Sequence, residues 1–265
     1  MLGPLHRGVR TLTAIAREMR LARRHLTTWP AYAVDVLAYR GLGLWPSMPG
    51  SNAERRAVTR DGLRFTYRRN RGDIQAVREC VLEDLYPLPA GFRPATLIDL
   101  GANIGLASLC LCRRYGISRV IAVEPVPENA TLAARNLAIN GVAAEVIQAA
   151  VADHRGVLEF ALSASSNLGR VVPGGGLRVP SVTMPDLLDR LGSDADLVKI
   201  DIEGGEGVLF AGDLSWLIHV KAIVGEWHPN VVDAERIRRT LLAAGFGREH
   251  IGRPGAEGIY RLEGA

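Results

Sequence analysis

The chain has 265 residues, of which 48% are hydrophobic and 23% charged, with a formal net charge of +4. That is enough apolar material for a full core, so a largely disordered chain is excluded. The small net charge hides a division: residues 1–72 carry 14 Arg against 4 acidic residues, whereas the remainder is acidic by 6 charges.

Residues 1–26 set Leu12, Ile15, Met19, Ala22 and Leu26 at alternating spacings of three and four, with Arg17, Arg20 and Arg24 off that stripe and Arg23 at its margin. This predicts an amphipathic basic helix that packs through its stripe and leaves arginines in solvent. Contact with an anionic membrane surface or with an acidic partner is the alternative reading. Nucleic acid is disfavoured, because no aromatic residues interleave the arginines as a stacking platform would require. An Arg-rich composition with only two lysines, Lys199 and Lys221, also fits a GC-rich genome. Residues 31–45 predict a second short helix ending at Gly41 or Gly43, and the run PSMPGSN marks a linker. The expected division is a helical extension with its linker over residues 1–52 and one domain over 53–265.

Asp61-Gly62 lies between two half-polar runs and predicts a hairpin. After Gly72 a helix carries Ile74, Val77, Val81 and Leu85 on one face and stops before Pro87. It is expected to close over one side of the ligand site described next.

The stretch TLIDLGANIGLASLCLCRRYGISRVIAV, residues 96–123, reads as buried strand, glycine turn, apolar helix and second buried strand, followed by Glu124 and Pro125. Gly101 lets the chain reverse, and Gly105 lets the helix start lie close to a ligand and to the neighbouring strand. An acid at the end of the second strand accepts ribose hydroxyls. A pyrophosphate needs a glycine at the middle position of the turn, and this chain has Asn103 there. The expected ligand is therefore a nucleoside cofactor without a pyrophosphate, S-adenosylmethionine, rather than NAD. Cys110 and Cys112 fall on the buried helix, and with Cys80 they make an odd set that reads as small core residues of a reducing compartment. No apolar run approaches the roughly 18 residues of a membrane span, and no signal-peptide pattern opens the chain, so a cytoplasmic location, with the membrane periphery as alternative, is expected.

Residues 127–140 predict a helix with Leu132, Ala133 and Leu137 inward, stopped by Asn140-Gly141. The run AAEVIQAAVAD is expected to hold a third strand whose end, Ala150–Ala152, flanks an adenine through backbone groups. Two further strands, GVLEFALS and GLRVPSVTM, are separated by a polar, glycine-rich loop over residues 164–176, read as a connection or as a lid over the acceptor. A helix starts near Asp186, then come a strand over 197–200, another over 222–229, a helix over 232–244 and two closing strands. Strands alternating with helices give a doubly wound α/β sheet with both faces covered.

Three strand ends deliver polar side chains to one rim: Glu124, then Asp201, Glu203 and Glu206, then Glu226 and His228. Acids gathered at strand ends are costly unless they serve a ligand, so Asp201, Glu203, Glu226 and His228 are the candidate catalytic residues. Asp201 would orient or deprotonate an acceptor hydroxyl, with Glu226 or His228 as partner. Magnesium held by Asp201, Glu203 and Glu226 is the less favoured alternative.

The ordered combination TLIDLGANIGLASL, AVEPVPENATLAARNLAIN, AAVAD with its hairpin, VKIDIEGGE and EWHP resembles the FkbM-type S-adenosylmethionine-dependent methyltransferases over about residues 61–247. The resemblance implies a class I methyltransferase fold, a seven-stranded, mostly parallel sheet, and O-methylation of a hydroxyl on a sugar, glycolipid or secondary metabolite. It makes Asp99, Gly101, Asn103, Gly105 and Glu124 the expected cofactor residues, with Ala102, Pro125, Ala150 and Val151 beside them. Asp201-Ile202-Glu203-Gly204 resembles the signature after the fourth strand. Where the family commonly has Leu-Asp ahead of that strand's preceding helix, this chain has Met184-Pro185, which is expected to shift the helix start. A competing reading keeps the cofactor pocket without catalysis and makes the basic helix the working part. Acceptor identity and oligomeric state are left open by the sequence.

Overall fold

The computed structural model describes residues 4–41, 50, 52–162, 169–171, 176–228, 230–250 and 256–261. They form two compact units, residues 1–84 and 85–265. No described helix is long and apolar enough to cross a membrane.

In the first unit, α1 (Pro4–His25) is followed by α2 (Trp29–Val36), which runs on into a π-helical turn, Leu37–Gly41. Ile15, Ala22 and Leu26 are buried as their spacing predicts, but Leu12 is 68% exposed. The buried face is completed by Glu18, whose carboxylate accepts a 2.7 Å hydrogen bond from the buried Tyr32 hydroxyl. β1 (Glu54–Val58) and β2 (Arg64–Arg68) pair antiparallel around the Asp61-Gly62 turn, where Gly62 takes φ +93. α3 (Arg71–Ala76) starts earlier than the sequence suggested, because the Asn70 side chain caps the Asp73 amide. It continues as a π-helical turn, Val77–Leu82, and so buries Leu82 in place of Val81. A π turn admits an extra residue, which rotates Val81 off the expected stripe.

The second unit contains β3 (Thr96–Leu100), α4 (Leu106–Tyr115), β4 (Arg119–Val123), α5 (Pro127–Ala138) and β5 (Ala144–Ile147). Then come β6 (Ala150–Val151), β7 (Gly156–Leu162), β8 (Gly169–Val171) and β9 (Leu177–Val182). After α6 (Met184–Leu191) follow β10 (Ala195–Ile200), the short α7 (Glu206–Leu209) and β11 (Val220–Glu226). The unit closes with α8 (Ala234–Ala243), β12 (Phe246–His250) and β13 (Ala256–Arg261). The central sheet runs β11-β10-β3-β4-β5 in parallel, and β13 and then β12 add antiparallel at the β11 edge.

Alternation along β3 places helices on both faces. Ile98 and Leu100 join one core cluster with Leu187 and Leu191 of α6 and Ile237 and Leu241 of α8. Asp99, pointing the other way, meets Ser108 of α4. Strands covered on both faces read as continuous apolar runs, which is why β3, β4 and β10 are visible in the sequence.

The run expected to be one third strand is divided between two sheets. Ala144–Ile147 extends the central sheet, whereas Ala150–Val151 pairs in parallel with β9 in a four-stranded sheet of order β6-β9-β7-β8. The loop expected over residues 164–176 contains β8, antiparallel to β7; residues 163–168 and 172–175 lie outside the described residues. The linker over 46–52 likewise lies mostly outside them. α6 starts at Met184, capped by Thr183 in a capping box with Asp186, so Asp186 is the third helical residue and not the cap. Pro185 falls in the first turn, where its missing amide hydrogen is no loss.

Candidate active site

The chain moves from β3 to β4 and β5 on one side, then returns to place β10 and β11 on the other. Strand order therefore reverses between β3 and β10, and ligands of open α/β sheets bind in the crevice at such a reversal. Asp201 N–H donates to Leu100 O at 3.1 Å, fastening the two strand ends together. The approach is tight: a Cβ on Gly101, which sits at φ +76, would lie 1.9 Å from the Asp201 carbonyl oxygen. Gly101 is thus required by its neighbouring strand. Gly105 is required by α5, since its Cβ would fall 3.1 Å from the Ala133 Cα. This approach to α5, and not to a neighbouring strand, is what the sequence reading of Gly105 did not name.

Glu124 holds the turn from the β4 side. Its carboxylate accepts from the Asn103 amide at 2.8 Å, the Val126 amide at 3.0 Å and Asn129 Nδ2 at 3.3 Å. Burial pushes its pKa up, against the pull of those hydrogen bonds and of Lys199. An ionised carboxylate offers about four acceptor positions, so roughly one remains open to a ligand. Asn103 itself stands at φ +49 with its Oδ1 buried and without a hydrogen-bond partner among the described residues. An orphaned acceptor in the cofactor turn fits a ligand that brings donors, as the ammonium and hydroxyls of S-adenosylmethionine would.

Asp99 lies beneath the turn and is fully buried. Ser108 Oγ donates to it at 2.6 Å, and Lys199 Nζ lies 3.1 Å from its other oxygen. The same ammonium donates to Gly101 O at 2.7 Å. Asp99 and Lys199 therefore support the turn from within the sheet. Ala102 is buried, its amide bonded to Val123 O, and Pro125 is half-buried. Ala150 and Val151 are buried in register with Ser181 and Val182, and the Ala152 amide donates to Val182 O, so part of the backbone expected to meet adenine already serves β9.

Beyond Asp201 the chain turns through two left-handed residues, Glu203 at φ +52 and Gly204 at φ +96. This brings Glu203 back beside His228, whose Nε2 is 3.4 Å from Glu203 Oε2 and 3.9 Å from Asp201 Oδ1. The opposite ring nitrogen, Nδ1, bonds Glu206 Oε1 at 2.8 Å, and Glu206 is fully buried. Burial alone would lower the His228 pKa, but the Glu206 hydrogen bond and the carboxylates of Glu206, Asp201 and Glu203 raise it to about 9. Glu203 moves to about 7, through burial and then the charges of Asp201, Glu226 and Glu206, with His228 opposing. Between those values His228 is an imidazolium beside an ionised Glu203.

Asp201, Glu203 and His228 are thus brought together, while Glu226 is half-buried at the end of β11 and acts on Glu203 through its charge. Among the described residues, the group that could hold a metal is Asp201, Glu203 and His228, with donor atoms within 4.8 Å of one another. It differs from the all-oxygen set expected for magnesium, which prefers oxygen ligands and water. With one imidazole nitrogen in place of an oxygen donor, the set does not fit the oxygen ligation that Mg²⁺ takes.

Two neighbours escaped the sequence reading. Tyr86, buried, donates to Asp201 Oδ2 at 3.3 Å from a segment with no recognisable motif. Lys199 could have been noticed as a lysine inside an apolar strand, since an unpaired ammonium is rarely buried.

The strand order, the glycine turn at the reversal point and the acid rim define an α/β methyltransferase-like protein. Residues 99–247, more than half of the chain, match the methyltransferase FkbM domain, and the chain belongs to that family. Methyltransferase sdnD of Sordaria araneosa is 27% identical over 173 residues, covering 51% of this chain and 67% of that protein. Among solved structures, the methyltransferase FkbM of Methylobacillus flagellatus KT aligns with a TM-score of 0.48 at 16% identity, over 63% of this chain and 43% of that one. This chain thus matches less than half the length of that solved protein. TrmK of M. capricolum, solved with S-adenosylhomocysteine, aligns with a TM-score of 0.37 at 8% identity, over 63% of this chain and 60% of its own.

Proposed function

We propose that this methyltransferase uses S-adenosylmethionine to methylate a hydroxyl of a sugar, glycolipid or secondary metabolite. The observation that carries the reading is the position of Asp201: it stands in the crevice where strand order reverses, hydrogen-bonded by Tyr86 and against the glycine turn at Gly101. The turn residues Gly101–Gly105 and Glu124 would hold the cofactor, which supplies a methyl group on a positive sulfur. The protein's tasks are then to align the acceptor oxygen and take its proton.

Asp201 is the proposed base, with Glu203 available as a second carboxylate once ionised. His228, charged below about pH 9, cannot accept a proton at neutral pH and instead offsets the carboxylate charges of the rim. In this reading His228 is the electrostatic partner of Asp201. No step is assigned to a metal ion. Transfer of labelled methyl from S-adenosylmethionine into an extract of the source cell, with Asp201→Asn run in parallel, tests the reading. Label entering a hydroxyl-bearing product only with the unaltered chain supports it. Equal labelling by Asp201→Asn removes Asp201 from the chemistry, and label on nitrogen or carbon removes the O-methyl reading.

A further inference from the structure

The sequence stripe would have buried Leu12 with Ile15, Ala22 and Leu26, yet Leu12 is 68% exposed. It stands beside an arginine-rich face of α1. At about 3.6 residues per turn, Arg17, Arg20, Arg23 and Arg24 fall within roughly a third of the helix circumference. All four are exposed. Arg17 lies 3.9 Å from Glu83, and among the described residues Arg20, Arg23 and Arg24 have no ion-pair partner. The hairpin turn adds a fifth guanidinium: Arg60 donates to the Arg23 carbonyl through Nε at 3.2 Å and Nη2 at 3.1 Å. Four solvated arginines on one face repel one another unless an anionic surface meets them.

We infer that this face of α1 docks on an anionic lipid surface. Charge complementarity selects a polyanion, and Leu12 at the edge of the face selects lipid over nucleic acid. An exposed leucine gains by entering the acyl boundary, whereas base stacking needs an aromatic side chain, and this face has none. The amphipathic character of α1 is therefore used on both sides: Ile15 and Ala22 pack inward while arginines and Leu12 face outward. Each arginine near such a surface strengthens partitioning about fivefold, and the attraction fades beyond a Debye length of about 10 Å at 0.1 M salt. This docking is independent of the methyl-transfer reading.

The test is flotation of the full chain with vesicles of phosphatidylcholine alone and with an equimolar mixture of phosphatidylglycerol and phosphatidylcholine. The expected result is flotation with the anionic vesicles only, reversed by high salt. The triple variant Arg20→Glu, Arg23→Glu, Arg24→Glu should lose at least a hundredfold in partitioning, and Leu12→Ser several-fold, with unchanged far-ultraviolet circular dichroism showing that α1 persists. Equal flotation of the triple variant overturns the inference, as does no flotation of the unaltered chain with anionic vesicles. Tighter binding of the chain to a short nucleic acid duplex than to those vesicles at equal salt also overturns it.

Discussion

Replacing Glu206 by glutamine should loosen the hold on the His228 charge and with it unsettle the acid rim. Glu206 is fully buried and its Oε1 lies 2.8 Å from His228 Nδ1. Raising His228 from 6.5 to about 9 amounts to about 3 kcal/mol of preference for the imidazolium in the folded chain. Because the folded value is the higher one, this stabilisation is fully present below pH 6.5 and is lost as pH rises through about 9. Glutamine keeps the shape and a hydrogen bond but removes the main opponent of burial, so the His228 midpoint should fall by more than about one pH unit, or roughly 1.4 kcal/mol. NMR titration of the His228 ring gives the midpoint directly, and urea unfolding across pH 6–10 gives the linked stability. A His228 midpoint near 6.5 in the unaltered chain, or one unmoved by Glu206→Gln, would refute the electrostatic account of the rim.

Lys199→Met leaves the buried Asp99 carboxylate without its cation and should cost about 3–5 kcal/mol by urea unfolding, with Asp99→Asn in the same chain restoring part of the loss. Gly101→Ala puts a methyl group into the Asp201 carbonyl. It should destabilise by more than the about 1–3 kcal/mol of ordinary overpacking, read as a lower melting temperature. Tyr86→Phe removes a hydrogen bond to Asp201 while leaving the turn intact. A fall in kcat of about tenfold is expected. Affinity for S-adenosylhomocysteine should not change; a weakened cofactor with normal turnover would place Tyr86 elsewhere in the mechanism.

What the sequence disclosed follows from how each signal arises. β3, α4 and β4 are legible because the strands are apolar throughout and the turn between them needs glycine at Gly101, where another strand end presses on it. Residues 144–151 were not separable, because an apolar run reports burial but not which sheet buries it. The helical stripe after Asn70 slipped because a π-helical turn leaves no trace in spacing. At the rim, residue types identified Asp201, Glu203 and His228 as neighbours, since strand ends of one parallel sheet share an edge. Their division of labour depended on Glu206, whose pairing with His228 comes from the left-handed path through Glu203 and Gly204. Tyr86 reaches Asp201 across 115 positions of chain, a separation no local pattern spans.

In the proposed function the crevice between β3 and β10 holds S-adenosylmethionine, and calorimetric titration of S-adenosylhomocysteine into the full chain tests this. The expected result is one site with micromolar affinity, lost in Glu124→Ala, and no heat with NAD. Absence of binding by the folded chain, or undiminished binding by Glu124→Ala, would contradict it.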